Sequence, residues 1–213
     1  MTPGREGRSR VAVFAKAPVP GEVKTRLVPL LGAEGAARLH EALVRHALAI
    51  AAQSAVGDVE LWCAPHAGHP FFDRCARELG VRTRPQPAGD LGSRMQAAFD
   101  AAFADGRALV LVGSDCPALS ADDLREAREA LRTHDAAFTP AEDGGYVLVA
   151  MARPIAGVFE GIDWGTARVM RQTRERLAAA GARVHELRVR WDVDRPEDYA
   201  RLAREGLLPG VAA

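Results

Sequence analysis

Of the 28 Lys and Arg side chains in this 213-residue chain, only two are lysine, Lys16 and Lys24, and both fall within residues 11–27, VAVFAKAPVPGEVKTRL. The composition is heavy in Ala, Arg and Gly, as if arginine replaced lysine wherever either serves, so two lysines kept in one loop ask for a chemical reason. A compact ammonium on a thin stem fits a narrow site around a phosphate oxygen that a wide guanidinium fork cannot enter. Lys24 has Thr25 and Arg26 beside it. A short apolar strand that empties into a cationic loop next to a helix start is a phosphate-binding layout. Chance survival of two lysines on a solvated turn is the plainer alternative.

Carboxylates supply the other half of the chemistry. Asp115, in Gly113-Ser114-Asp115-Cys116-Pro117, follows the most apolar run of the chain, ALVLV at 108–112. In an open α/β sheet that strand end is where a ligand or metal is met, although a turn-forming or capping Asp would look the same. Asp192 and Asp194 alternate after a strand-like stretch, which puts both on one side, where they could share a divalent cation. Asp194 precedes Arg195-Pro196-Glu197 and equally suits the N-cap of a final helix. Asp143-Gly144-Gly145 fits either the close approach of a ligand to the backbone or a plain hairpin turn.

The elements that must hold these residues follow from periodicity. Residues 11–14 read as a strand buried on both faces, 33–53 as an amphipathic helix, 59–64 as a strand, 70–79 as a helix stopped at Gly80, and 81–84 as a third strand. A helix over 92–104, the strand at 108–112, and a helix to about 133 opened by the capping box Ser120-Ala121-Asp122-Asp123 come next. Strands over 136–140 and 146–151, a helix opened by residues 162–166 and running to about 180, and a last strand over 183–190 complete the order. Strands alternating with helices at this rhythm imply βαβ units and a mostly parallel sheet. Residues 1–9 read as a frayed tail and 10–208 as one domain.

A formal net charge of +0 and a pI near 7.0 exclude a general nucleic-acid or membrane-surface binder, so any anion binding is local. Cys63, Cys75 and Cys116 are odd in number and without paired spacing, which fits a reducing cytoplasm better than a disulfide framework. No segment approaches a membrane span, and the first apolar run is cut at Lys16, too short for a signal sequence. His66 and His69, behind Cys63, lack a fourth ligand for zinc, and the other histidines read as surface helix or strand positions.

Taken together, Phe14-Ala15-Lys16 with Pro18, Pro20-Gly21 and Val23-Lys24-Thr25-Arg26-Leu27, then Gly92-Ser93-Arg94-Met95, Gly113-Ser114-Asp115-Cys116-Pro117, Asp143-Gly144-Gly145-Tyr146 and Asp192-Val193-Asp194 resemble a bacterial family of GT-A-fold transferases. That family is similar to 2-phospho-L-lactate guanylyltransferase and, more remotely, to the molybdenum cofactor guanylyltransferases. The resemblance implies a three-layer α/β/α sandwich with one mixed, mostly parallel sheet, of the nucleotide-diphospho-sugar transferase type. It implies that Lys24 and Arg26 hold phosphates, that Asp115 with Asp192 or Asp194 holds Mg²⁺ or Mn²⁺, and that residues 87–95 hold the base. Ala15, Lys16, Gly21, Thr25, Gly92, Arg94 and Ser114 would then face the nucleotide, and Asp143, Gly144, Gly145 and Trp164 the acceptor. Two departures from the pattern are the two prolines within residues 15–23 and Gly165, where the family commonly has Ser.

The expected activity is nucleotidyl transfer, with Lys24, Arg26 and Asp115 as the catalytic groups. An NTP reacts with a small phosphorylated or anionic acceptor and pyrophosphate leaves. Glycosyl transfer from a nucleotide-sugar is the alternative on the same residues, with Asp143 or Glu142 as base, and a non-catalytic nucleotide-binding module is the third. The sequence sets neither the base, the acceptor nor the oligomeric state.

Overall fold

The computed structural model describes residues 9–208, so all but the last residue of the expected tail lies outside the described residues. The first strand, β1, runs Ser9–Lys16 and is longer than its apolar stretch alone indicates: Ser9 and Arg10 are buried too. Arg10 is drawn in by buried Glu60 at 3.6 Å and by an ion pair to Asp105.

After β1 come a 3₁₀ turn, Thr25–Leu27, and α1, Val28–Ser54, which is kinked at Gly32. Then follow β2 (Gly57–Ala64), α2 (Pro70–Leu79), β3 (Arg82–Pro85), α3 (Leu91–Ala104), β4 (Leu109–Gly113) and α4 (Ala121–Ala130). The chain continues through β5 (Ala136–Pro140), β6 (Tyr146–Met151), α5 (Val169–Ala179), β7 (Val184–Glu186) and α6 (Pro196–Glu205). The seven strands form one sheet in the order β3-β2-β1-β4-β6-β5-β7, with β6 alone antiparallel to its neighbours. The expected mixed, mostly parallel sheet is therefore present, and ALVLV supplies its central β4.

Alternation along the central strands explains the three layers. Val11, Val13, Val110 and Val112 face one core, with Val44 and Leu48 of α1, Phe71 and Phe72 of α2 and Leu124 of α4. Ala12, Phe14, Leu109 and Leu111 face the other, with Met95 and Phe99 of α3 and Met170 and Leu177 of α5. A strand apolar at successive positions is thus buried on both sides, as parallel sheets require. Each fully buried large side chain contributes about 1.5–3 kcal/mol.

Three expectations change. α5 begins at Val169, because residues 161–168 are turns in which Gly161 and Gly165 take positive φ. The last strand is regular only over Val184–Glu186; the chain stays beside β5 through Leu187 N to Phe138 O and a parallel bridge of Arg190 with Ala141, and then crosses the end of β4, where Val193 N bonds Asp115 O. The N-cap of α6 is Arg195 rather than Asp194, and Asp198 accepts from the backbone N–H groups of both.

Candidate active site

β1 and β4 lie side by side, yet their following connections leave in opposite directions along the sheet, to β2 on one side and past β6 to β5 on the other. At such a switch point the strand ends leave a crevice that binds ligands. Here a cleft of about 470 Å³, walled by Ala15, Lys16, Lys24, Thr25, Arg26, Arg94, Ser114, Asp115 and Asp194, opens above the junction. It continues on one side into a space of about 460 Å³ beside Gln86, Pro87, Ala88 and Arg94. On the other it meets a space of about 500 Å³ lined by Asp143, Gly145, Tyr146, Trp164, Thr166 and Asp192. Lys16 lines all three spaces, Arg94 is shared by the first and second, and Asp115 by the first and third.

Asp115 stands at the centre of this crevice with its side chain 47% exposed. Its Oδ1 receives Lys24 Nζ at 2.9 Å and Ser114 Oγ at 3.5 Å, and faces His40 Nδ1 at 3.8 Å. Oδ2 has no protein partner among the described residues and remains available to a ligand. Desolvation pushes this carboxyl up, but Lys24 and then His40 outweigh it and hold its pKa below the usual carboxylate range. The acid is ionised at neutral pH.

Lys24 is buried, and its Nζ also donates to Val193 O at 2.6 Å. Its backbone sits at φ 47°, ψ 41°, a left-handed conformation that costs a side-chain-bearing residue about 1–3 kcal/mol. The loop therefore bends unfavourably at the residue whose ammonium meets Asp115. Arg26, by contrast, is exposed and paired with Asp194.

Asp192 is carried to the crevice by the bent segment after β7. A buried pair anchors that segment, Arg190 Nη2 reaching Asp123 Oδ1 and Oδ2 at 2.6 and 2.7 Å. Asp123 is also the expected capping residue of α4, so one carboxylate does both jobs. Burial, reinforced by the like charges of Asp143 and Asp115, pushes the Asp192 carboxyl up to about 6.

Three glycines expected at the ligand act through the backbone instead. Gly92 lies beneath the Trp164 ring, where a Cβ would come within 3.0 Å of the indole and 2.8 Å of Phe159 O. Gly144 takes φ 91° and packs on Ala167, whose carbonyl would be 2.3 Å from a Cβ, so it holds the 143–145 turn against the 165–167 turn. Gly21, at φ 83°, shapes the loop between β1 and Lys24. Gln86 was not anticipated; its Nε2 donates to Trp62 O at 2.8 Å and Ala15 O at 3.4 Å. Nor was His40, which is buried rather than at the surface. Its place on the apolar face of α1, in step with Ala36, Leu43 and Ala47, was the available signal.

Among the described residues no three His, Cys, Asp or Glu side chains converge as a metal cage. Mg²⁺ seldom needs one, since it takes one or two carboxylates and completes its shell with water and phosphate. Asp115 with a free Oδ2, and Asp192 crowded by like charges, form a hard-oxygen donor pair whose repulsion a divalent cation would relieve. The donor set fits Mg²⁺ or Mn²⁺. Asp194, tied to Arg26, lies at the edge of that set.

Comparison with known proteins agrees with this layout. A 3-phospho-D-glycerate guanylyltransferase from Phenylobacterium zucineum (strain HLK1) is 32% identical over 191 residues, covering 85% of this chain and 84% of its own. A crystal structure described as a candidate nucleotide-diphospho-sugar transferase from Desulfovibrio desulfuricans G20 superposes with a TM-score of 0.85 at 34% identity, over 93% of this chain and 87% of that one. Rv0371c from Mycobacterium tuberculosis H37Rv, solved in complex with manganese, shares the fold at a TM-score of 0.52 and 20% identity, over 91% and 97% of the chains. The expected GT-A architecture and transferase class both stand. Residues 47–166 match the family described as "Uncharacterized protein conserved in bacteria (DUF2064)", and with the 32% relative spanning most of both chains, this protein belongs to that family.

Proposed function

We propose that the protein is a nucleotidyltransferase that moves a guanylyl group from GTP onto a small phosphorylated or carboxylated acceptor and releases pyrophosphate. The observation that carries this reading is Asp115, ionised and with Oδ2 unpartnered, at the junction of a cationic cleft and an acceptor-sized one. The 3-phospho-D-glycerate guanylyltransferase relative supports both the base and the acceptor class.

Such a transfer asks the protein for alignment and charge neutralisation more than for covalent chemistry. The triphosphate lies along the loop between β1 and the 3₁₀ turn. Lys16, which has no ion pair among the described residues, and Arg26, whose partner is solvent-exposed, draw charge onto the departing pyrophosphate. Lys24 keeps one N–H beyond its bonds to Asp115 and Val193 O for a phosphate oxygen. The base occupies the space beside Gln86 and Arg94, and the acceptor enters between Asp143, Trp164 and Thr166. A divalent cation held by Asp115 and Asp192 would supply further charge neutralisation at the phosphates.

Glycosyl transfer is the second reading, favoured by the likeness to the candidate nucleotide-diphospho-sugar transferase and by Asp143, a carboxylate in the acceptor space placed to serve as base. We assign the protein to the cytoplasm, in keeping with three free, buried cysteines, of which Cys63 and Cys116 have thiols pushed up to about 12 by burial. No helix among the described residues is long and apolar enough to cross a membrane.

The test is pyrophosphate release with Mg²⁺, each NTP in turn, and a panel of phosphorylated and hydroxylated three- to six-carbon acids. GTP with a phosphorylated acid should give pyrophosphate. A nucleotide-sugar that stabilises the fold while every NTP is inert would favour the glycosyl reading.

A further inference from the structure

His40 is a polar ring in an apolar place. It is 4% exposed, on the face of α1 that packs under the β1 and β4 ends, and its Nδ1 does not reach water. Its Nε2 lies 3.0 Å from the carbonyl of Lys16, the last residue of β1. A carbonyl only accepts, so Nε2 carries a proton and donates it there. Nδ1 has no hydrogen-bond partner and lies 3.8 Å from Asp115 Oδ1.

That arrangement works against stability. A buried polar nitrogen without a partner forfeits its hydration, and an apolar side chain of similar size would avoid that cost. A ring that only filled this space would be better replaced by leucine. What leucine cannot do is hold the Lys16 carbonyl. Lys16 is where the strand stops and the phosphate loop begins, and its side chain borders all three spaces of the crevice. The same ring stands 3.8 Å from the oxygen of Asp115 that already receives Lys24, so one side chain touches the loop carbonyl and flanks the acid.

We propose that His40 is a positioning residue of the transfer reaction, fixing the Lys16 carbonyl at the mouth of the phosphate loop in register with Asp115 across the switch point between β1 and β4. The proposal rests on the nucleotidyl-transfer reading of the site. Its role is alignment: the nucleotide has many other contacts and still binds when the pin is gone, but the loop and the acid no longer meet the reacting phosphate together.

The experiment compares the native chain with His40→Leu and His40→Gln by melting temperature, by the thermal shift that GTP with Mg²⁺ produces, and by kcat and KM in pyrophosphate release. His40→Leu should melt within a degree or two of the native chain or above it, and keep its GTP shift and KM. Its kcat should fall by about tenfold or more, the range of losses seen when a group supporting a ligand-holding residue is removed. His40→Gln, whose amide can still donate to the Lys16 carbonyl, should recover most of that kcat. A folded His40→Leu with native kcat overturns the proposal, as does a folded His40→Gln that recovers none of the loss. Should His40→Leu melt many degrees early while activity per folded molecule is intact, the ring is structural and the proposal is again overturned. If the native chain gives neither a GTP shift nor pyrophosphate, the transfer reading falls instead, and a His40→Leu melting temperature at or above native still marks the ring as retained for something other than the fold.

Discussion

Two ion pairs tie the loop after β1 to the opposite rim of the crevice, and they are built very differently. Lys24 meets Asp115 with its side chain 5% exposed, a second bond to Val193 O and a strained left-handed backbone. Arg26, two residues on, meets Asp194 with side chains 63% and 41% exposed. Neighbours in sequence with the same charge and the same kind of partner thus sit at opposite ends of the energetic scale. Removing one member of a buried pair costs about 3–5 kcal/mol, because the other is left desolvated. An exposed pair is worth about 0–1 kcal/mol. Asp115 opens to the cleft on its far side, so the Lys24 pair lies below the fully buried figure. The difference separates a pair held within the fold from one that solvent already competes for, and on the proposed function it is the exposed pair that would exchange its carboxylate for a phosphate.

Breaking the buried pair from the acid side should have the largest effect. Asp115→Asn is expected to lower kcat/KM on the order of 100-fold or more, the scale set by removing one preorganised charge-stabilising group. The melting temperature should fall by only about 2–4 °C, the equivalent of roughly 1 kcal/mol in a chain of this size, because Lys24 keeps its bond to Val193 O. Calorimetry beside steady-state kinetics checks both.

Changing the cation instead sharpens the comparison. Lys24→Arg keeps the charge but asks a planar fork to fit where the side chain is 5% exposed, so kcat/KM should drop about tenfold or more, equivalent to about 1.4 kcal/mol. Native kinetics in this variant would show that the site has no need of a compact ammonium.

A smaller effect concerns Asp192 and is read as stability against pH in the presence of EDTA. Its carboxyl, raised to about 6 mainly by burial and then by Asp143 and Asp115, binds a proton more tightly folded than unfolded. That contribution is fully present below the unfolded value near about 4 and is lost as pH rises through about 6. The metal-free protein should therefore lose stability over this window. Asp192→Asn should flatten the loss, melting higher than the native chain at pH 8 while losing activity. A native pH profile in the variant would contradict the like-charge crowding.

The smallest effect is expected at the exposed pair. Arg26→Ala should change stability by less than about 1 kcal/mol, and high salt should shrink even that difference. A stability loss of about 3 kcal/mol or more, the size expected of a buried pair, would erase the distinction drawn between the two pairs.

The fold was legible wherever one face or both faces of an element are apolar. ALVLV located the central strand, Ser120 with Asp123 located the start of α4, and Gly80 located the end of α2. The elements misread are those whose backbone bonds go elsewhere than into a ladder or helix. The stretch after β7 looks like continued strand and does pair once more with the end of β5, Arg190 with Ala141, but residues 187–189 interrupt the ladder and Val193 N turns to Asp115 O. Residues 162–166 look like a helix start, but Gly161 and Gly165 at positive φ keep 161–168 as turns.

Within the site, Lys16, Lys24, Arg26, Asp115, Asp192 and Asp194 were singled out by type and spacing, and the structure brings them to one crevice. What spacing could not convey is who pairs with whom. Lys24 belongs to Asp115 and Arg26 to Asp194 because the 192–194 segment crosses directly over the end of β4. His40 escaped notice for the same reason, since its value lies in a carbonyl 24 residues away.

Group transfer from GTP is tested most directly by following two labels in one reaction, one on the α-phosphate and one on the γ-phosphate, with Mg²⁺ and a phosphorylated three-carbon acid as acceptor. The α label should appear on the acceptor as a guanylyl ester or anhydride, and the γ label should leave entirely as pyrophosphate, with both transfers absent in Asp115→Asn. Retention of both labels in unreacted GTP across the acceptor panel, together with sugar transfer from a nucleotide-sugar, would contradict the account.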